Sequence, residues 1–191
     1  MNVTLKEIYG PWESGWALDK HVLSSTYLGD NEWGHPQFDT QRSQVGEASF
    51  QLKYRSDWSQ VAPLAQALAT HLFPKLGNVG FIVPMPASKA RPRQPVTEVA
   101  RVLGELVQRP VFESLVKAPG GPALKDLPTR EAKLEALAER ISVVDVIADG
   151  RWNVLLVDDL YDSGASMEAA CNALRGYRKV NKIYAAALTW K

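Results

Sequence analysis

Cysteine occurs once in the 191 residues, at Cys171. A single thiol excludes an intrachain disulfide and any zinc site that needs several cysteines of one chain. Histidine is nearly as scarce. His21, His35 and His71 lie far apart, with no metal-ligand spacing. Neither sign of charge dominates: 22 Lys and Arg stand against 21 Asp and Glu. That balance removes the electrostatic case for general nucleic-acid binding. No apolar run approaches membrane-spanning length, and residues 1–20 lack a basic-then-apolar leader pattern. A cytoplasmic protein with no membrane partner is expected. Repeats and low-complexity tracts are also missing. What remains is an ordinary globular composition, 46% hydrophobic and 23% charged, long enough for one respectable core. Cys171 lies among Ala, Asn and Leu residues, which suits a small buried apolar role rather than catalysis.

Two regions differ in texture. Residues 1–55 are rich in Trp, Tyr, Thr and Gly and are expected to form an N-terminal strand-and-loop elaboration. Strands are expected over Val22–Leu28 and Ala48–Tyr54, with a long polar loop from Gly29 to Gly46. Residues 56–191 are expected to form the main α/β body. Asp57 should cap a helix over Trp58–Leu72, where Val61, Leu64, Ala65, Leu68 and Leu72 make an apolar face. Strands and helices then alternate. Strands are expected at Val79–Val83, Val111–Val116, Ile141–Val146, Trp152–Val157 and Ile183–Trp190. Helices are expected at Pro95–Gln108, Thr129–Arg140 and Ser166–Arg178. This order predicts a mostly parallel central sheet flanked by helices. Residues 117–128 hold three prolines and two adjacent glycines and read as a loop.

One run carries chemistry. Val154, Leu155, Leu156 and Val157 read as a strand buried on both faces. Asp158 and Asp159 follow at once, then Asp162-Ser163-Gly164 and a helix-forming stretch from Ala165. Backbone amides and hydroxyls at a helix start suit a phosphate. Two adjacent carboxylates suit sugar hydroxyls. One segment would therefore hold both ends of a ribose 5-phosphate. Competing readings of paired acids fit less well. A haloacid-dehalogenase pattern separates its aspartates by one residue. A receiver domain places its acidic pair after the first strand. A Walker B strand needs an upstream Gly-x-x-x-x-Gly-Lys-Ser/Thr, which this chain lacks. A plain capped strand end leaves the grouping of Ser163, Gly164 and Ser166 with two acids unexplained.

The run resembles the 5-phosphoribosyl 1-pyrophosphate (PRPP) motif of type I phosphoribosyltransferases. That motif is four hydrophobic residues, two acids, a short variable stretch, and Thr/Ser-Gly-x-Thr/Ser. Here Ser163 and Ser166 stand where the family usually has Thr. Further phrases resemble the ComF-like branch. They are Leu52-Lys53-Tyr54-Arg55 before a Leu/Ala-rich helix, Val83-Pro84-Met85-Pro86, the basic Arg91-Pro92-Arg93-Gln94, and loosely Thr129 to Arg140. The four-cysteine zinc module that often opens ComF proteins cannot be built from one cysteine. A role in DNA uptake is not carried over, nor is glutamine-dependent amido transfer.

The resemblance implies PRPP and Mg²⁺ as ligands and transfer of the phosphoribosyl group to a base or amine. Asp158 and Asp159 would take the ribose hydroxyls and favour the developing oxocarbenium ion. Asp162, Ser163, Gly164, Ala165 and Ser166 would hold the 5-phosphate. Lys89, Arg91 and Arg93 would face the pyrophosphate. Mg²⁺ would sit mainly on substrate oxygens, with Asp158 and Asp159 as the protein carboxylates beside it. Lys125 and Arg130 border the 117–128 loop, which in related enzymes closes over the site. Trp12, Trp16, Trp33 and Tyr161 are stacking candidates for an acceptor, and Trp190 is equally placed. A homodimer is compatible with this reading. Two alternatives stay open: a non-catalytic sensor of PRPP or nucleotide, and a hydrolase that passes the ribosyl group to water.

Overall fold

The computed structural model describes residues 1–87, 91–120 and 126–191. Its centre is a five-stranded sheet built from β1 (Lys6–Glu7), β2 (Ser14–Lys20), β5 (Phe81–Pro84), β8 (Trp152–Tyr161) and β9 (Val180–Trp190). The strand order is β1-β2-β9-β8-β5. β5, β8, β9 and β2 run parallel, and only the short β1 is antiparallel to its neighbour. The expected α/β class with a mostly parallel, helix-flanked sheet is observed.

The sheet is buried on both faces, and the alternation of a strand decides which helix each residue meets. In β8, Val154 and Leu156 pack with Met167, Ala170, Cys171 and Leu174 of α5 (Ala165–Arg175). Leu155 and Val157 face the other way. They join Val45 and Leu52 of α1 (Gln44–Arg55), Leu64 of α2 (Val61–Ala67) and Val99 and Leu103 of α3 (Pro95–Val107). Burying one such side chain fully contributes about 1.5–3 kcal/mol. Continuous apolar β8 is thus explained by two layers of helix. β9 supplies Ala185, Ala186 and Ala187 at its middle, and small residues there let both layers approach closely.

β2 was not anticipated. It pairs with β9 from Ser14↔Tyr184 to Lys20↔Trp190, so residues 1–55 contribute a strand to the central sheet. The expected strand Ala48–Tyr54 is instead the second half of α1. Ser43 caps this helix by accepting a hydrogen bond from the Gly46 amide at 2.9 Å. Glu47 lies in its first turn and Lys53 and Arg55 in its last, complementing the helix dipole. Val45, Ala48, Ser49 and Leu52 are the buried stripe. The alternation of Phe50, Leu52 and Tyr54 was misleading, because Phe50 and Tyr54 are helical i, i+4 neighbours with rings 5.3 Å apart. At Gly46 the helix start presses on the His21 carbonyl so closely that a Cβ would overlap it.

The expected loop Gly29–Gly46 is also corrected. It contains β4 (Pro36–Gln41), which pairs antiparallel with β3 (Ser24–Asp30) in an exposed two-stranded hairpin, and the start of α1. A hydrophilic strand exposed on both faces carries little period-2 signal. Val111–Val116 is likewise not one strand. Val111 makes a single bridge to Ile82, and pairing resumes in β6 (Leu115–Lys117), which is antiparallel to β7 (Ile141–Val143). The helix expected from Thr129 is α4 (Arg130–Ala138), with the Thr129 hydroxyl accepting from the Ala132 amide at 3.1 Å. The helix expected after Asp57 is continuous to Leu72, with a 3₁₀ first turn and a π-helical last turn.

Candidate functional site

β8 does not stop at Val157. Asp158 and Asp159 are strand residues, and pairing with β9 continues through Asp158↔Ala187 to Tyr161↔Trp190. The acids are therefore held by a ladder rather than by a loose tip, and strand alternation sends them to opposite faces. Asp159 follows Leu155 and Val157 toward α1, where its carboxylate pairs with the Lys53 ammonium. Asp158 follows Val154 and Leu156 toward the face of β6 and α5. Its Oδ1 accepts from the Asp159 amide at 2.8 Å.

Electrostatics separate the two acids. Burial, and then the neighbouring Asp159 charge, push the Asp158 carboxyl up to about 8. Burial alone would lower the Lys53 ammonium, but the Asp159 carboxylate more than offsets this and its value is raised. Lys117 of β6 moves the other way. Burial and then the Arg140 guanidinium hold it below its ordinary value, against the opposing pull of Asp158.

After Tyr161 the chain turns at Asp162–Gly164 and enters α5. Gly164 is the N-cap residue, at φ +78°. A Cβ there would meet the Tyr161 ring and hydroxyl at 2.9–3.1 Å, so glycine serves both the left-handed backbone and the close approach. The Ser163 hydroxyl accepts from the Ala165 amide at 3.5 Å. Gly164 O already accepts from Glu168 N at 2.9 Å, closing the first turn. The amides ahead of that turn have no carbonyl partner within the helix, the arrangement that suits an anion. Arg130 braces the loop from α4: Nε donates to Ser163 O at 3.1 Å, and Nη2 pairs with Glu168.

Two adjoining cavities open at this end of the sheet. One, of about 250 Å³, is lined by Asp158, Asp159, the whole run Asp162–Ser166, Lys117 and Lys133. The other, of about 230 Å³, is lined by Tyr54, Ala87, Arg91, Gln94, Pro95 and Val96. Lys53, Met85, Pro86, Asp158 and Asp159 border both.

The expected site residues thus divide. Asp158, Asp159, Asp162, Ser163, Gly164, Ala165 and Ser166 share one cavity, and Arg91 lines the other. Arg93 turns away: it donates to Glu98 at 2.9 and 3.0 Å and stacks 4.3 Å from the Trp58 ring. Lys89 and Lys125 lie outside the described residues. The aromatic candidates line neither cavity, except Tyr161. Trp12 is buried, donates to Ile8 O at 2.9 Å and meets Tyr161 edge-on. The Tyr161 hydroxyl is engaged with Tyr9 O at 3.0 Å. Trp16 donates to Ser14 at 3.2 Å and lies under Lys75, Trp33 is exposed on the hairpin, and Trp190 lies under Lys6. Cys171 is buried and donates to Pro11 O at 2.7 Å, and burial pushes its thiol up to about 11.

Lys53, Tyr54, Lys117 and Lys133 were not anticipated as site residues. Lys53 had a legible signal: Ser43, Glu47 and the 45/48/52 stripe mark a helix whose last turn it occupies. Lys117 and Lys133 had none, because the β6–β7 hairpin and α4 bring them in from a distance.

Among the described residues, no group of three or more His, Cys, Asp or Glu side chains is placed to hold a metal ion. No helix among them is long and apolar enough to cross a membrane.

No family model matches the sequence, and comparison with curated proteins finds no match. Among solved structures, an adenine phosphoribosyltransferase is similar over 87% of this chain and 86% of its own, at 13% identity and TM-score 0.45. The adenine phosphoribosyltransferase of Saccharomyces cerevisiae, solved with adenine and an imino-altritol bisphosphate, is similar over 87% and 85%, at 12% and 0.43. The orotate phosphoribosyltransferase of Aeropyrum pernix is similar over 86% and 74%, at 16% and 0.40. Identities and TM-scores this low leave the residues of the site to carry the functional reading.

Proposed function

We propose that the protein binds PRPP at the C-terminal end of β8 and transfers its phosphoribosyl group to a base or amine acceptor. One observation carries this reading. An acidic pair fixed in a strand, a helix start and three lysines line a single cavity. That set matches a sugar's vicinal hydroxyls beside a terminal phosphate. Amides of the 163–166 loop would take the 5-phosphate, with Lys117 and Lys133 supplying opposite charge. Asp158 and Asp159 would accept from the ribose hydroxyls and stabilise positive charge developing on the ring. The C1 substituent would then point into the neighbouring cavity, where Arg91 stands.

Mg²⁺ fits this donor set. An ion of this kind is commonly held by one or two carboxylates plus substrate phosphates, and Asp158, with its raised affinity for a proton, gains from a cation nearby. Asp158 and Asp159 would hold it, and when bound it would neutralise charge on the departing pyrophosphate. Residues 1–55 would act as a hood, since they deliver Lys53 and Tyr54 to the C1-side cavity. Membership of the ComF-like branch, a cytoplasmic location and a homodimer belong to the same proposal. The first draws on Leu52–Arg55 and Val83–Pro86, both of which reach the cavities.

A sensor that binds without turnover is the second reading. It is favoured by the Lys53–Asp159 pair, which already occupies one carboxylate. The test is calorimetric titration of PRPP with Mg²⁺ into the wild type and the Asp158→Asn/Asp159→Asn variant. Loss of binding in a folded variant is expected, and unchanged affinity would refute the reading. Incubation with purines, pyrimidines and amines separates enzyme from sensor, and release of ribose 5-phosphate without an acceptor identifies a hydrolase.

A further inference from the structure

Lys53 is the one described cation that borders both cavities. It stands at the end of α1, half-buried, with its ammonium on Asp159. The four described basic side chains that line the two cavities fall into three positions. Lys117 and Lys133 line only the phosphate side, Arg91 lines only the C1 side, and Lys53 lies at the divide.

This arrangement sets up a competition. Ribose hydroxyls that reach Asp159 must displace Lys53 or share the carboxylate with it. A half-buried ammonium deprived of its anion is costly to leave unpaired. A ligand with an anion at C1 offers it a new partner within the adjoining cavity. A ligand with nothing at C1 does not.

We infer that Lys53 is the specificity-determining residue of this site, moving from Asp159 onto an anionic C1 substituent and so favouring a 1-pyrophosphorylated ribose over ribose 5-phosphate. The inference rests on the proposed PRPP reading and deepens it. Lys53 contributes nothing to binding of the 5-phosphate, which the 163–166 loop handles. In ribose 5-phosphate binding it acts as a competitor, and its removal frees Asp159.

The experiment titrates two probes, PRPP with Mg²⁺ and ribose 5-phosphate, into the wild type and into Lys53→Met and Lys53→Arg. The wild type is expected to bind both and to prefer PRPP. In Lys53→Met, PRPP affinity should fall roughly tenfold to hundredfold, the magnitude of a lost charge-assisted hydrogen bond. Ribose 5-phosphate affinity should stay unchanged or rise, so the preference collapses. Lys53→Arg should keep the preference. Thermal unfolding checks that the variants are folded, and Lys53→Gln replaces Lys53→Met if the latter is not. If both probes weaken equally, or neither changes, Lys53 merely ties α1 to β8 and the inference is overturned. If the wild type binds neither probe, the PRPP reading itself fails, and the inference with it.

Discussion

Gly164→Ala tests the geometry of the loop between β8 and α5. The residue sits at φ +78°, where an L side chain costs about 1–2 kcal/mol. The added methyl would also lie 2.9 Å from the Tyr161 hydroxyl and 3.0 Å from its ring. The ring is not free to yield, since its hydroxyl donates to Tyr9 O at 3.0 Å and its edge meets Trp12. Losing that hydrogen bond adds about 1 kcal/mol. The expected destabilisation is about 2–3 kcal/mol, or a fall in Tm of about 4–12 °C for a chain of this size. Thermal unfolding followed by circular dichroism reads it. In a Tyr161→Ala background the same substitution should cost only the backbone component, about 1–2 kcal/mol, because the obstacle is gone. A Gly164→Ala variant melting within about 1 °C of the wild type would refute the claim that this loop requires a left-handed, ring-packed glycine.

Other consequences follow from the same contacts. Because the folded-state Asp158 carboxyl is raised to about 8, the folded protein binds more protons than the unfolded chain between about pH 4 and 8. Its contribution to stability is intact below about pH 4 and is lost as pH rises through 8. Asp158→Asn should therefore raise Tm little at pH 4 and increasingly toward pH 8, and a gain independent of pH would contradict this. Arg130→Met should cost at most about 1 kcal/mol of stability, since the Arg130 side of the Glu168 pair is exposed. It should nonetheless weaken inorganic phosphate binding by releasing Ser163 O, as titration calorimetry would show. Leu156→Ala, at a fully buried position between β5 and β9, should cost about 2–5 kcal/mol in denaturant unfolding, and a cost below about 1 kcal/mol would show that the sheet repacks freely.

The core strands were legible because burial on both faces leaves a continuous apolar run, as in Val154–Val157, and because loops with Pro and Gly separate the elements. The turn Asp162–Ser166 was legible as one unit because its residues are consecutive. The N-terminal third was not. β2 alternates Trp16, Leu18 and Lys20 with small residues and lies beside β9 only through pairing some 170 positions away. α1 hid behind Phe50, Leu52 and Tyr54, large side chains at every second position. The site split along the same line. Residues of one segment were found together, whereas Lys53, Lys117 and Lys133 come from three other elements. Arg93 was drawn off by Glu98 and Trp58, partners one helical turn and some 35 positions distant. Yet one step was available from the strand alone: alternation already sends Asp159 to the α1 face and Asp158 to the α5 face, so the two acids were never equivalent.

Diffraction from crystals grown with PRPP and Mg²⁺ tests the central claim most directly. The account predicts the 5-phosphate against the amides of residues 163–166, the ribose hydroxyls on Asp158 and Asp159, and the pyrophosphate toward Arg91. Ligand density lodged elsewhere on the protein, or a cavity at β8 left without ligand at saturating PRPP, would contradict it.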